Sequence, residues 1–120
     1  METSGRVLND ITYNGWSNYP TWCVNVWITN DEFIDRQVQR LAECAIEDAR
    51  DSEEVEKGFW EHDQAAIFIL ADELKDFVSD PEYGMRPDLG ASMAADLMAW
   101  SFDSVNWEEI ADHIIEHANV

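Results

Sequence analysis

The sequence predicts an all-α fold, a single-domain bundle of about five helices, and three observations carry that reading. Apolar residues recur at steps of three and four over long stretches, the spacing of one helical face. Asn, Asp or Ser stands ahead of most of those stretches, where a side-chain oxygen can cap the first turn. No stretch of any length alternates apolar and polar residues as a half-buried strand does. A chain of 120 residues is long enough for one hydrophobic core and too short for two. Residues 13–120 are therefore expected to form one domain, and residues 1–12, polar and patternless, a loose N-terminal arm.

The first helix is expected over about residues 19–28. Asn14-Gly15 marks a turn ahead of it, Ser17 or Asn18 can cap it, and Pro20 is tolerated in a first turn. Trp22, Cys23, Val26 and Trp27 would share its inner face, although Val24, Val26 and Ile28 would also fit a strand. Asn30 is expected to cap a second helix, with Asp31 and Glu32 in its first turn facing the positive end of the helix dipole. Its apolar stripe is Ile34, Val38, Leu41, Ala42, Ala45, Ile46 and Ala49. A third helix should run from an Asp51 cap, with Glu54 three residues on, to about Val78. Its buried stripe would be Val55, Phe59, Ala66, Ile67, Leu70, Leu74, Phe77 and Val78, with Gly58 a weak point inside it. The stretch 79–87, with two Pro and a Gly, reads as a loop. A fourth helix is expected from near Asp88, burying Leu89, Met93, Leu97 and Trp100. The last, capped by Asn106, would bury Trp107, Ile110, Ala111, Ile114, Ile115 and Ala118.

The formal charge is −19, from 26 carboxylates against seven Lys and Arg. Its placement is uneven. Residues 43–63 hold nine acids against Arg50 and Lys57, a net of −7, and residues 72–120 hold twelve against Lys75 and Arg86, a net of −10. Such a field repels nucleic acid and anionic membranes and draws in basic protein surfaces. It does not signal disorder, because 46% of residues are apolar and six are Trp. The longest apolar run, residues 65–71, is far shorter than the roughly 20 residues of a membrane span. The opening METSGRVLND lacks the apolar core of a secretory signal, and Cys23 and Cys44 have no Cys-x-x-Cys spacing. A cytoplasmic protein with two reduced thiols, each on an apolar helical face, is the expectation.

At Asn14-Gly15-Trp16-Ser17-Asn18-Tyr19-Pro20-Thr21-Trp22 and at Val105-Asn106-Trp107-Glu108-Glu109-Ile110-Ala111 the chain resembles a family of small acidic proteins of phages and other mobile elements. Those proteins carry an NGW-x-NY-x-TW segment near the start and a VNW-x-EIA segment near the end. The resemblance implies a mobile-element origin, a setting that favours a counter-defence role such as anti-CRISPR or anti-restriction. It brings no catalytic residues and no cofactor with it.

His113-Ile114-Ile115-Glu116-His117 matches H-x-x-E-H, the inverted zincin motif. Ile114 and Ile115, however, assign the core face of that helix and leave His113, Glu116 and His117 towards solvent, a further carboxylate ligand would have to come from upstream, and enzymes with this motif normally need a much larger scaffold. No metal site, cofactor or catalytic residue is therefore assigned. No His neighbours either Cys, and phosphate-binding Gly-rich loops, Gly-x-Ser-x-Gly and EF-hand spacings are all missing. A non-enzyme is the expectation.

The acidity has three readings. Mimicry of nucleic acid is the first: as one helix rising about 1.5 Å per residue, residues 43–63 would spread −7 over roughly 31 Å, one charge per ~4.5 Å, near the about 3.4 Å of a DNA strand. Adaptation to high salt is the second, and two Lys in the whole chain fit it. Plain solubility is the third, but about −2 to −8 already suffices in a small domain. The expectation drawn is an acidic, nucleic-acid-mimicking inhibitor of a host defence complex, a CRISPR effector or a restriction enzyme. It would bind a basic groove through Glu43, Glu47, Asp48, Asp51, Glu53, Glu54 and Glu56, with no direct contact to nucleic acid or membrane. The alternative is a halophilic or structural interaction module docking through an aromatic patch of Trp16, Tyr19, Trp22 and Trp27, those Trp being equally readable as core. Whether the chain is a homodimer is open at this level.

Overall fold

In the computed structural model, residues 12–58, 61–80 and 85–118 are described. Their order is α1 (Tyr19–Asn30), α2 (Glu32–Arg50), a single turn at Glu53–Glu56, α3 (His62–Ser79), α4 (Met93–Asp103) and α5 (Trp107–Ala118). The fold is an all-α bundle. Among the described residues the only β pairing is an isolated bridge between Tyr13 and Trp16. It is closed by two 2.8 Å hydrogen bonds around Asn14 and Gly15, both at positive φ as a tight hairpin turn requires. The loose arm expected over residues 1–12 lies, but for Thr12, outside the described residues.

α3 is the centre of the bundle, packing along α2 on one side and α5 on the other. Its buried face is Ala65, Ala66, Leu70, Ala71, Leu74 and Val78, and α2 meets the core with Val38, Ala42, Ala45 and Ala49. So many alanines keep both faces shallow, which lets helices approach closely. From α5 come Trp107, Ile110, Ala111, Ile114 and Ile115, as the periodicity predicts. Deleting one of these buried aliphatic side chains typically costs ~2–5 kcal/mol.

Five expectations are corrected. The predicted single helix from Asp51 to Val78 is two pieces. Ser52, not Asp51, caps the turn at Glu53–Glu56, accepting from Val55 N at 3.3 Å, and the chain then breaks at Gly58, whose φ is +79°. Gly58 is thus a helix end, which favours a residue able to adopt the left-handed conformation. Phe59, expected in the stripe, lies outside the described residues. The helix restarts at His62, whose Nε2–H donates to the Ile46 carbonyl at 2.8 Å and ties it to α2.

The second correction is the α1 face. Thr21, Val24 and Ile28 are buried, whereas Trp22, Cys23 and Val26 are half-buried and Trp27 is 65% exposed. The inner stripe of α1 runs through Thr21 and Val24, rotated away from the aromatic positions. Third, Asp31 rather than Asn30 caps α2, accepting from Ile34 N at 3.1 Å, so one residue separates α1 from α2.

The fourth is α4, which starts at a Ser92 cap rather than near Asp88. It buries only Ala95, while Met93, Leu97 and Trp100 are 78%, 59% and 68% exposed. Alternating apolar and small residues around this helix make more than one face look apolar, and the face that packs is Ala95, Met98 and Phe102. Cys44 is likewise exposed and Cys23 only half-buried, against the expectation that both lie on core faces.

Candidate functional site

The two Trp-containing segments, distant in sequence, meet in one polar junction. Asn18 accepts from Thr21 N at 3.0 Å as the cap of α1, and its Nδ2 donates to the Ser104 carbonyl at 2.8 Å. Thr21 is fully buried; its hydroxyl donates to Asn18 Oδ1 at 2.7 Å and accepts from Asn106 N at 2.9 Å. Asn106 in turn caps α5 by accepting from Glu109 N at 3.1 Å, and its Nδ2 donates to Ser17 Oγ at 3.3 Å. Glu109 does not close a capping box on Asn106; its Oε1 accepts from Ser17 N at 3.0 Å instead. Every one of these groups uses a partner from the other segment or from its own cap. The spacing of the motif residues is therefore explained by folding, because a buried polar group without a partner costs ~1–3 kcal/mol.

The expected aromatic patch divides. Tyr13, Tyr19 and Trp22 form one cluster, with ring centroids 4.9–5.6 Å apart. Trp16 packs against the core and sets its ring 5.3 Å from His113. Trp27 stands two turns along α1 from Tyr19. The Tyr19 phenol is pushed above its ordinary value, chiefly by Cys23 beside it and then by desolvation.

The carboxylates are arranged differently. Glu43, Glu47 and Asp48 are exposed on the outer side of α2, and Asp51 is exposed at its end. Among the described residues none of the four has an ion-pair partner. Glu53 and Glu56 are exposed on the following turn, where Glu53 pairs with Lys57 at 3.1 Å; the Glu54 side chain lies outside the described residues. Because the chain turns at Ser52 and Gly58, these acids do not form the continuous ~31 Å line that one helix would give. They form two shorter groups. Across from them, burial raises the carboxyl of Glu73 on α3 above its ordinary value, and the charges of Asp48 and Asp76 push it further the same way. The acidic surface thus reaches back to the seam between α2 and α3.

His113, Glu116 and His117 face solvent as the Ile114-Ile115 pair predicts. His117 Nδ1–H donates to the His113 carbonyl at 2.8 Å, a bond along the helix that holds the imidazole to its own backbone. Among the described residues no group of three or more His, Cys, Asp or Glu is placed to hold a metal ion. No helix among them is long and apolar enough to cross a membrane.

Sequence reading missed one feature. α1, α4, the end of α3 and the stretch 85–87 surround a largely apolar trough lined by Val24, Val78, Phe102, Cys23, Trp27 and Met98, with Arg86 at one end. Its signal was present in the excess of apolar residues on α4, but that excess was read as core.

These features define a small, acidic helical bundle, held by a polar junction between its two Trp-containing segments and presenting on one helix carboxylates that are unpaired among the described residues. The chain belongs to the family of unknown function DUF7249, which it matches over residues 9–120, a span that includes both halves of the junction. No curated protein and no solved structure matches it.

Proposed function

We propose that this chain is a non-enzymatic acidic inhibitor that acts in the cytoplasm of a host cell and occupies the basic nucleic-acid-binding groove of a host defence complex, a CRISPR effector or a restriction enzyme. The observation that carries the reading is the group Glu43, Glu47, Asp48 and Asp51: four exposed carboxylates with no ion-pair partner among the described residues. Carboxylates at i and i+4 on a helix, as Glu43 and Glu47 are, repel by a few tenths of a kcal/mol. Concentrating them there disfavours the helix and favours an encounter with Arg and Lys of a partner. The likeness of the Trp-containing segments to mobile-element proteins supports the defence setting.

The test is binding kinetics on purified CRISPR effectors and restriction enzymes, with and without nucleic acid in the groove. Competition with nucleic acid, and an on-rate that falls steeply as salt shortens the Debye length from about 10 Å at 0.1 M to about 3 Å at 1 M, is expected. Simultaneous binding with a salt-independent on-rate would contradict mimicry. It would favour the alternative, an interaction module docking through Tyr19, Trp22 and Trp27.

A further inference from the structure

We propose that the outer face of α4, on the side of that helix away from the trough, is a docking surface for a basic amphipathic helix of a partner protein, independent of the α2 carboxylates. The face has the form of an unfilled heptad seam. Met93, Leu97 and Trp100 stand at i, i+4 and i+7, the d, a and d positions of a heptad, and follow one side of the helix for about 10 Å or two turns. All three are exposed, while Ala95 is the one buried residue of α4. Single apolar side chains are ordinary on a surface, but three in register on one helix make the spacing by which amphipathic helices meet a partner.

The acids on this same face select the guest. In that register Asp96 and Asp103 both take g, within about 60° of Trp100 around the helix, and both are exposed. Neither has an ion-pair partner among the described residues. Helix stability accounts for only one of them: Asp96, in the first turn, faces the positive end of the helix dipole, whereas Asp103, the last residue, faces the negative end, where a carboxylate is unfavourable. The other flank of the seam holds Ala94 and Ser101, the e positions, and carries no charge. A second copy of the chain would therefore set Asp against Asp if antiparallel and Asp against Ala or Ser if parallel, with −19 against −19 behind either arrangement. A guest helix with Lys or Arg flanking its apolar seam gains an ion pair at each aspartate instead.

The experiment uses a fluorescein-labelled synthetic helix of three heptads, Leu at a and d and Lys at e and g, titrated with the whole protein and followed by anisotropy at about 0.15 M salt, where a Debye length of about 8 Å screens distant charges. Saturable binding is expected, weakened at least about tenfold by Trp100→Ser, the loss of an aromatic anchor. Leu97→Ser, also at an exposed position, repeats the test should Trp100→Ser fold poorly. Asp96→Asn together with Asp103→Asn should weaken binding about fivefold, and neutralising Glu43, Glu47, Asp48 and Asp51, twice as many charges on another part of the chain, should change it less than about twofold. A loss from the α2 substitutions as large as that from the α4 pair would overturn the site, since net charge and not this face would then be the cause. Equal binding of a peptide with Ser in place of Leu, or no saturation up to about 1 mM, would overturn it too. So would a dimer of the unmodified protein that Trp100→Ser dissolves, because the occupant would then be a second copy.

Discussion

The junction around Asn18 and Thr21 and the outer face of α2 are both dense in polar groups, and the fold uses them in opposite ways. In the junction each donor and acceptor is matched: the Thr21 hydroxyl alone bridges Asn18 and the backbone of Asn106, 85 residues away. On α2 the carboxylates of Glu43, Glu47, Asp48 and Asp51 meet no cation among the described residues. One region stabilises the fold through matched hydrogen bonds gathered around the buried Thr21, and the other adds repulsion that the fold must absorb. The difference separates residues the fold uses from residues it leaves exposed and uncommitted. It also shows that a motif of Trp and Asn can be structural while a run of Glu, easily dismissed as a solvated face, remains uncommitted.

The largest expected effect comes from breaking the junction. Thr21→Val keeps the shape but removes the acceptor of the Asn106 N–H at a part-buried site, and about 1–3 kcal/mol of stability should be lost in urea unfolding. A loss below about 0.5 kcal/mol would mean that the junction is incidental and the contrast with α2 empty.

A smaller effect is expected at the break between the acidic turn and α3. Gly58 sits at φ +79° with open space where a Cβ would lie, so Gly58→Ala introduces backbone strain and no clash. About 1 kcal/mol should be lost. A gain in stability and helix content would instead indicate that the chain can run straight from Asp51 to Val78, restoring the continuous line of acids.

Smaller again is the pH effect at Glu73, where the acidic face touches the core. Its folded carboxyl is raised by burial, then by Asp48 and Asp76, so the folded state holds its proton more firmly than the unfolded chain does. Between the ordinary carboxylate value and the raised one the folded state therefore binds more protons, and stability falls as pH rises through that window. Glu73→Gln should be more stable than the parent at neutral pH, and the difference should vanish below the ordinary carboxylate range. The check is urea unfolding of both proteins across pH 3 to 8; an advantage that persists at the acid end would show the gain to be one of packing and not of charge.

Much of this fold was legible in advance because long amphipathic stretches overdetermine their helices. The stripes of α2 and α5 repeat their apolar positions over three or more turns, and Asn106 announces the α5 start by the Glu109 three residues on. Periodicity failed where it had no polar face to work against. α4 reads MAADLMAWSFD, apolar nearly all round, so nothing in the sequence distinguishes the Ala95–Met98–Phe102 side from the Met93–Leu97–Trp100 side; only the shape of α1 and α3 decides. The α1 face failed because the buried Thr21 hydroxyl bridges Asn18 to the backbone of Asn106, 85 positions away, a long-range fact that local hydropathy does not hold. Of the candidate site, the exposure of the acids was legible and their division by Ser52 and Gly58 was not, since a glycine within a helical pattern can be tolerated or can end it.

The separation of folding residues from the uncommitted acids is tested most directly by neutralising together the four acids that are unpaired among the described residues, as Glu43→Gln, Glu47→Gln, Asp48→Asn and Asp51→Asn, and measuring urea unfolding at low and high salt beside Thr21→Val. The account predicts that the fourfold variant keeps the parent's stability or gains on it at low salt, from relieved repulsion along α2 and next to Glu73, with the gain fading as salt screens those charges. A loss of more than about 1 kcal/mol that persists at high salt would contradict it, because those carboxylates would then be holding the fold together and would not be free to meet a partner.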